Sequence, residues 1–493
     1  MTIGGVRAPT VALAALLTAA GAVAVAAGGL WRMLALGAAA LGLVVSLGSV
    51  VASRQGLRAV LFVEVPVLLL LASSLVWRVR TTDAIAADPL DAAGQIRVGC
   101  VGLAGLLALI ALVWPADPRA RPRPGRPSLP FRLYAVYVLV VFMGAPFAVE
   151  PVLTAYRGVE LATAMLVLFA ACTRVGDEAI ARIGTTLYWF IVALVASVWA
   201  GVVLFPGLAI EPLINQAAPI PWDVRGVYPQ LAANAVGALG VLLAIWSLAR
   251  ADRRWRSRDA MRPVTAYLLA ALGVVTLLAA QHRTGYIALV AGVGVLLALR
   301  SRRTLLVGVL LGAAAWMLYV TPSTIREAAP FLLRGQTTAE ARGLTSRVQW
   351  WEASIPVWQK SPLVGRGLLS GTRFEVLARL GLRDTGGIHS TWVEALVGTG
   401  LIGLGLLAAT LLICLRRALR LALDRRGAIL PLLLLVVLSV RSITGNSFES
   451  FQGLETVVFL WLALSLGDGG RVWRQAPVLA AEQAPVATTV GVP

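Results

Sequence analysis

Two histidines are the side chains best suited to exchange a proton near neutral pH, because imidazole titrates in that range. They are His282 and His389, the only histidines among the 493 residues. His389 lies in the Gly-rich run 386–392, just before an apolar segment in which Glu394 follows one turn later. This position makes His389 a candidate general base in a half-buried cleft. A histidine that only caps the entering helix, or bonds a neighbouring carbonyl, is the alternative interpretation.

Three arginines could bind phosphate near this histidine. Arg225, Arg283 and Arg347 lie in connections that the order of apolar segments places on the same side as His389. A guanidinium group binds phosphate through two parallel hydrogen bonds, so one pyrophosphate could engage several of them. Each arginine alone could instead lie at a membrane interface or pair with a carboxylate such as Asp223.

Other chemistries find little support in the sequence. No two histidines share ligand spacing, and neither a Gly-x-Ser-x-Gly motif nor a nucleotide-binding Gly-rich loop occurs. The three cysteines lie in apolar segments without paired spacing. We therefore predict a metal-independent site without a cofactor. The carboxylates of the long connection before His389 are scattered: Glu327, Glu340, Glu352, Glu375 and Asp384.

The elements that position these residues must lie in lipid. Hydrophobic residues make up 58% of the chain, charged residues 14%, and the mean hydropathy is +0.82. Apolar stretches of roughly 20 residues, the length that crosses a bilayer, recur along the chain. They predict an all-α polytopic membrane protein with about 12–14 transmembrane helices. The candidate spans are 9–29, 31–52, 57–78, 96–115, 132–149, 157–173, 184–205, 229–249, 264–280, 284–300, 303–320, 392–415, 427–443 and 452–467.

Arginine placement orients these spans. Basic clusters alternate with nearly uncharged connections, near residues 54–58, 119–126, 174–182, 250–258, 300–303 and 416–426. By the positive-inside rule these clusters and both termini face the cytoplasm. The net charge of +19 is spread over these clusters, so it does not indicate nucleic-acid binding. The near absence of lysine and the abundance of Ala, Val, Leu and Gly point to a GC-rich bacterial genome and hence to a bacterial plasma membrane protein.

The predicted organisation has four parts. Residues 1–320 form a transmembrane bundle of about 11 helices, and residues 321–390 form a long extracytoplasmic loop with a catalytic role. Residues 391–467 add about three C-terminal transmembrane helices, and residues 468–493 form a disordered cytoplasmic tail. The first span is predicted to be a retained helix, with a cleaved signal peptide as the alternative. Glu64 lies inside the third span and needs a partner there.

Two short amphipathic helices are predicted within the long loop. The first covers Thr345–Lys360, where Val348, Trp351, Ile355 and Trp358 recur at helical spacing. The second covers Arg373–Leu380 and ends at Gly381, a residue type that commonly terminates helices. Both could lie on the membrane surface, with their tryptophans at the interface.

Several short motifs occur in a family-specific order. They are Arg225-Gly226, Arg283-Thr284-Gly285, Arg347-x3-Trp351, Pro362-x2-Gly365-x-Gly367, His389-Ser390-Thr391-Trp392 and Gly398-x-Gly400-x2-Gly403. The chain thereby resembles the bacterial O-antigen ligase and O-antigen polymerase superfamily over about residues 130–467 and most strongly over 345–405.

The resemblance implies a glycosyltransferase of surface polysaccharide biosynthesis. A glycan would pass from undecaprenyl pyrophosphate to a hydroxyl group of a glycan, lipid or protein acceptor, without metal or nucleotide sugar. His389 would be the catalytic base or would orient the acceptor, and Arg225 and Arg283 would bind the pyrophosphate. Arg347 would be a third phosphate ligand.

Two other functions fit a many-spanning protein. A polysaccharide transporter or flippase would carry ionisable residues deep in its spans and show internal repeats. A cell-wall glycan polymerase would rely on an extracytoplasmic carboxylate such as Asp384 rather than on His389. Ligase and polymerase activities are not separated by these motifs.

Overall fold

The computed structural model describes residues 59–75, 91–113, 127–212, 221–251, 262–300, 347–382, 386–424, 427–448, 454–467 and 472–473, together with 2–3 and 6–7. The predicted spans 9–29, 31–52 and 303–320 lie outside these residues, as do 321–346 of the long loop and Asp384. Most of the predicted tail also lies outside them. Within it, Trp473 is buried and packs edge-on against Trp461, with 5.3 Å between the ring centroids.

The described chain is a bundle of apolar helices. Its helices are α1 (Val60–Leu75, opening with a π-helical turn), α2 (Ala92–Val113), α3 (Leu129–Gly144, continued by a 3-10 turn to Phe147), α4 (Pro151–Val175), α5 (Asp177–Leu204), α6 (Pro206–Ala209), α7 (Ala233–Ala251), α8 (Pro263–Ala279), α9 (Arg283–Arg300), α10 (Arg347–Trp358), the π-helical α11 (Gly371–Leu377), α12 (Thr391–Leu423), α13 (Leu430–Thr444) and α14 (Leu454–Ser465). Two short antiparallel pairs accompany them: β1 (Thr2–Ile3) with β2 (Val6–Arg7), and β3 (Ile210–Pro212) with β4 (Trp222–Val224).

The all-α polytopic prediction is confirmed. Among the described residues, six helices are long and apolar enough to cross a membrane: α2, α3, α4, α5, α7 and α12. Five shorter apolar helices, α1, α8, α9, α13 and α14, occupy further predicted spans. Each forms where an apolar run lets the backbone satisfy its own hydrogen bonds, as lipid requires.

Aromatic side chains fill the centre of the bundle. Trp246 of α7 stacks on Trp461 of α14, with ring centroids 5.5 Å apart, and the Trp461 indole donates to the Ile180 carbonyl of α5 at 2.9 Å. The Tyr134 hydroxyl of α3 donates to the Phe448 carbonyl at 2.5 Å. The Trp461 indole and the Tyr134 hydroxyl thus have backbone partners in sequence-distant segments and join these segments inside the bundle.

Two carboxylates inside the helices have arginine partners. Glu64 contacts Arg182 of α5 at 3.1 Å, so its predicted need for a partner is met. Glu160 of α4 lies 2.6 Å from Arg97 of α2 and 2.5 Å from Arg157. Glu64 is therefore one of several carboxylates inside apolar helices, and mutual pairing lowers the cost of burying them.

The two predicted loop helices are confirmed as α10 and α11. The packed face of α10 differs in part from the predicted one. Val357 and Ser354 are buried, whereas Ile355, which belongs to the predicted apolar face, is 49% exposed. Gly381 follows α11 with a φ of 72°, a left-handed conformation that ends the helix at little steric cost.

Candidate functional site

The turn of residues 444–448, which begins at the last residue of α13, joins separate parts of the chain at one end of the bundle. The Thr444 hydroxyl lies 2.5 Å from the Thr284 hydroxyl at the start of α9. The Thr444 carbonyl accepts a hydrogen bond of 3.2 Å from Nη1 of Arg347, the first residue of α10. Arg283 is the neighbour of Thr284, so two of the predicted phosphate-binding arginines start helices beside this turn.

The same turn holds the segment that carries His389. The amide and hydroxyl of Thr391 donate to the Gly445 carbonyl at 3.0 and 3.1 Å, and the Ser447 amide donates to the Thr391 hydroxyl at 2.9 Å. The indole of Trp392 donates to the Ser442 hydroxyl at 3.0 Å. These bonds hold the first two residues of α12 in place. Because His389 lies only two residues before Thr391, they also limit where His389 can lie.

His389 is exposed and adopts a φ of 52°. Left-handed backbone is uncommon for residues other than glycine and concentrates at functional sites. The imidazole lies beside Trp350 of α10, with 6.2 Å between ring centroids, and the Trp351 indole donates to the Ile388 carbonyl at 3.3 Å. The start of α10 therefore forms one wall of the space in front of His389.

The surroundings of His389 favour its neutral form. Loss of hydration among the neighbouring protein atoms, together with the positive charge of Arg347, lowers the pKa of His389 to about 4. Burial also lowers the pKa of Arg347, although an arginine remains protonated at neutral pH. At pH 7 the site thus presents an imidazole that can accept a proton beside a guanidinium that can bind an anion.

A buried ion pair supports the turn from below. Arg441 of α13 lies 2.6 Å from Glu455 of α14, and Glu455 accepts a hydrogen bond from the Ser447 hydroxyl. Arg441 also lies 3.3 Å from Nδ1 of His282. Since arginine only donates, Nδ1 of His282 must be the acceptor, which makes His282 a neutral imidazole with its proton on Nε2. Of the two histidines, His282 is thus engaged in packing, and His389 is the exposed one.

Arg225 occupies an adjoining hairpin. It follows β4 and pairs with Glu211 of β3 and, at 3.3 Å, with Asp223. This hairpin is linked to the start of α9, because the Gln281 amide donates to the Trp222 carbonyl. The structure thus brings Arg347, the segment that carries His389 and the start of α9, where Arg283 lies, to the 444–448 turn. Arg225 lies in the hairpin with carboxylate partners.

The Pro-x2-Gly-x-Gly motif packs against the Gly-rich part of α12, and we call this contact the glycine seam (residues 362–367 with 397–402). Four backbone hydrogen bonds of 2.8–3.2 Å cross it, from the amides of 366, 367, 401 and 402 to the carbonyls of 397, 398, 362 and 363. A Cβ at Gly365 would lie 2.4 Å from the Gly398 carbonyl carbon, and one at Gly400 would lie 2.3 Å from that of Leu363. These glycines are needed for close backbone approach.

Glu394 fixes the segment that follows the seam. It is buried, and its two carboxylate oxygens accept from the Leu369 amide and the Thr372 hydroxyl, each at 2.7 Å. Glu394 is therefore bonded to the loop instead of facing the His389 side as a second acid or base.

Three residues around the site were not predicted from the sequence: Arg441, Glu455 and the turn residue Thr444. Arg441 and Glu455 lie inside predicted apolar spans, and an ionisable residue in a span is itself an indication of function or pairing. Nothing in the local pattern marks Thr444, whose role depends on partners 97 and 160 residues away in sequence.

Within the described residues, no three His, Cys, Asp or Glu side chains are grouped as metal ligands. Metal independence of the site stays a prediction.

Comparison with known proteins identifies part of this region. Residues 266–408, under a third of the chain, match the family model described as O-antigen ligase. The matched residues include Arg283, Arg347, His389 and the glycine seam, whereas Arg225 and the 444–448 turn lie outside. No curated protein matched the chain.

Proposed function

We propose that this chain, which carries an O-antigen ligase domain at residues 266–408, transfers a glycan from undecaprenyl pyrophosphate to a hydroxyl acceptor. The observation that carries the proposal is the shared 444–448 turn. In support, this turn bonds Arg347, the residue Thr284 beside Arg283, and Thr391, two residues after the exposed His389. A proton acceptor and phosphate-binding cations within one site are what this transfer needs.

In the proposed reaction, neutral His389 removes the proton from the acceptor hydroxyl while the oxygen attacks the anomeric carbon of the donor glycan. The bond between that carbon and the pyrophosphate oxygen breaks, and undecaprenyl pyrophosphate leaves with the electron pair. Negative charge grows on the pyrophosphate as the bond breaks. Arg283 and Arg347 stabilise this charge more in the transition state than in the bound donor.

Donor binding would also adjust the base. The positive charge of Arg347 helps to hold the pKa of His389 low in the free enzyme. A bound pyrophosphate neutralises that charge and adds negative charge of its own, so it raises the pKa of His389. The imidazole would become a stronger base only once the donor is in place, which suits a group that must accept a proton during transfer.

Arg225 would join the phosphate site by exchanging partners. Its guanidinium is held by Glu211 and Asp223, and it is 41% exposed. A pyrophosphate that reaches the hairpin would replace Glu211 as the acceptor, since phosphate offers the same bidentate geometry with more charge. Of the three proposed phosphate ligands, Arg225 is thus the one that must first give up a carboxylate partner.

We further propose that the site faces away from the cytoplasm of a bacterium, at the plasma membrane, with both termini cytoplasmic. The alternation of basic connections supports this orientation. Residues 321–390 would then form the extracytoplasmic loop between a bundle of residues 1–320 and the helices of 391–467.

The test uses the full chain in liposomes, supplied with an undecaprenyl-pyrophosphate-linked glycan and either a second lipid-linked glycan, a lipid or a protein as acceptor. Glycan transfer and release of the lipid pyrophosphate are measured together. We expect His389→Ala to lose about 10²–10⁴-fold in kcat, the usual contribution of a general base. Arg283→Ala and Arg347→Ala should raise the donor KM and lower kcat.

Arg379→Ala is the matched control, because Arg379 belongs to the same loop, is 52% exposed and only contacts Glu375 at 3.9 Å. It should transfer at the wild-type rate. Full activity of a folded His389→Ala variant would contradict the mechanism. Movement of the intact lipid-linked glycan across the vesicle without transfer would instead indicate a flippase.

A further inference from the structure

Helix α12 is longer than one crossing of the hydrocarbon core requires. It contains 33 residues, which at 1.5 Å per residue is roughly 50 Å, against a hydrocarbon core of about 30 Å. Its helical backbone is interrupted at Gly400, where φ is 64° and ψ is −166°. The interruption divides α12 into an outer half, residues 391–399, and an inner half, residues 401–423.

Side-chain exposure changes at the same residue. None of residues 391–400 is exposed, because the loop and neighbouring helices cover that half. Immediately after the break Leu401 and Ile402 are 48% and 46% exposed, and Leu412, farther along the inner half, is 64% exposed. An apolar stripe that faces outward is the surface a spanning helix presents to lipid.

Residues 362–364 of the loop lie beside this break in α12 and expose apolar side chains there. Leu401 and Ile402 donate their amides to the carbonyls of Pro362 and Leu363, at 2.9 and 3.2 Å. Leu363 is 59% exposed and Val364 is 40% exposed, although neither belongs to a spanning helix. These two side chains therefore lie level with the first lipid-facing residues of α12.

The end of α3 extends the same apolar surface. A Cβ at Gly144 would lie 3.5 Å from the Val364 carbonyl oxygen. The loop residues 362–364, which we call the 362–364 turn, therefore contact the last residues of that helix. Met143 and Phe147 on either side of Gly144 are 66% and 69% exposed. Apolar surface is thus continuous from α3 across the turn to the inner half of α12.

We propose that residues 362–364 insert into the leaflet of the phospholipid bilayer at the boundary between headgroups and acyl chains. The occupant is lipid, because the exposed Leu363 and Val364 continue the lipid-facing surfaces of α3 and α12. Lys360, 42% exposed and two residues before the turn, can extend its ammonium group to the headgroups. Its partner Glu375 also binds Arg366 and lies 3.9 Å from Arg379, so this cluster of three cations and one carboxylate is cationic overall.

Insertion of residues 362–364 fixes the height of His389 above the bilayer. Nine helical residues, 391–399, separate the segment of His389 from the inserted turn, which is about 13 Å along the helix axis. The outer half of α12 is then a spacer between the bilayer surface and His389. A lipid-linked molecule anchored in the same leaflet would meet the site residues within that distance.

The experiment attaches an environment-sensitive fluorophore to single cysteines at Leu363→Cys and Val364→Cys, after Cys100, Cys172 and Cys414 are replaced by alanine. The full chain is reconstituted into phosphatidylethanolamine and phosphatidylglycerol vesicles. Quenching is compared between iodide in the water and nitroxide groups attached to the lipid near the headgroup. Gln349→Cys, exposed at the start of α10, is the matched control.

We expect the fluorophores at 363 and 364 to be quenched at least several-fold more strongly by the lipid nitroxide than by iodide, and the one at 349 to show the opposite order. Iodide quenching at 363 and 364 equal to that at 349 would overturn the proposal. Protection from both quenchers would overturn it too, because it would mean that another protein surface covers the turn. Glycan transfer is not measured, so failure of the proposed function leaves this test intact.

Discussion

Two regions at one end of the molecule hold the same loop by different means. Around the 444–448 turn, most contacts involve side chains: hydroxyl groups, the Arg347 guanidinium and the buried pair of Arg441 and Glu455, beside one backbone bond from Thr391 to Gly445. At the glycine seam, four backbone hydrogen bonds and the absence of side chains make them. Both regions contain motif residues of the ligase resemblance, yet only the first carries a histidine that could move a proton.

This difference distinguishes motif residues that position the loop from motif residues that could take part in the reaction. Backbone bonds at the seam are insensitive to pH and charge, so this region sets where the loop lies. The side-chain bonds of the turn depend on protonation and on what the site binds, since charged hydrogen bonds respond to nearby anions. A motif residue can therefore be indispensable for position without taking part in transfer.

The largest expected effect comes from breaking the buried pair under the turn. Arg441→Met or Glu455→Leu alone leaves an uncompensated charge and should destabilise the protein by about 3–5 kcal/mol. The double variant should recover most of that loss, because replacing both partners by apolar groups removes the stranded charge. Thermal unfolding in detergent measures all three variants. Single variants as stable as wild type would show that the turn does not rely on side-chain charge.

At the seam, Gly400→Ala should cost about 1–3 kcal/mol, because alanine disfavours a φ of 64° and its Cβ would overlap the Leu363 carbonyl. Gly405→Ala on the same helix is the control. No heavy atom lies within 4 Å of a Cβ there, and alanine favours helix by up to about 1 kcal/mol over glycine. Equal effects of the two substitutions on thermal unfolding would argue against close backbone packing at the seam.

The turn region should also respond to pH. The acidic limb of kcat/KM reports the free-enzyme pKa of the base, so for wild type its midpoint should lie well below 6.5, near the pKa of about 4 for His389. Activity is lost as pH falls through that midpoint because the imidazole becomes protonated. Arg347→Met removes a positive neighbour and should move the midpoint up, lowering kcat/KM near pH 5 by roughly two- to tenfold beyond its effect at pH 7.

The midpoint is independent of any loss in donor binding, which scales the whole profile. Arg379→Met, the control for removing a loop arginine, should leave the midpoint where it is. An unchanged midpoint in Arg347→Met would mean that Arg347 and His389 do not interact electrostatically.

The smallest effect is expected from a single hydroxyl. Thr444→Val removes the bond to Thr284 but keeps the carbonyl that Arg347 binds, so stability should fall by about 0.5–1.5 kcal/mol. Thr185→Val provides the comparison, because the Thr185 hydroxyl only bonds the Ala181 carbonyl of its own helix. Thermal unfolding that separates the two variants by less than the measurement error would place Thr444 among replaceable contacts.

The helices were predictable from the chain because lipid imposes a simple rule. A backbone in hydrocarbon must bond itself, so apolar runs of sufficient length become helices wherever they pack. The six long and five shorter apolar helices of the described residues fall in predicted spans. The loop helices were also predictable from helical spacing and from Gly381, although the packed face of α10 was not, since it depends on what lies beside Val357 and Ile355.

Among the site residues, residue type alone suggested His389 and the three arginines, and their chemistry follows from imidazole and guanidinium groups in any protein. The sequence also determined the apolar helices and the glycines of the seam. Only the tertiary structure decided that Thr444 is the common partner of Thr284 and Arg347, that His282 is engaged by Arg441, and that Arg225 is held by Glu211. Those contacts join residues far apart in sequence, so no local pattern encodes them, and packing of the bundle alone brings them within bonding distance.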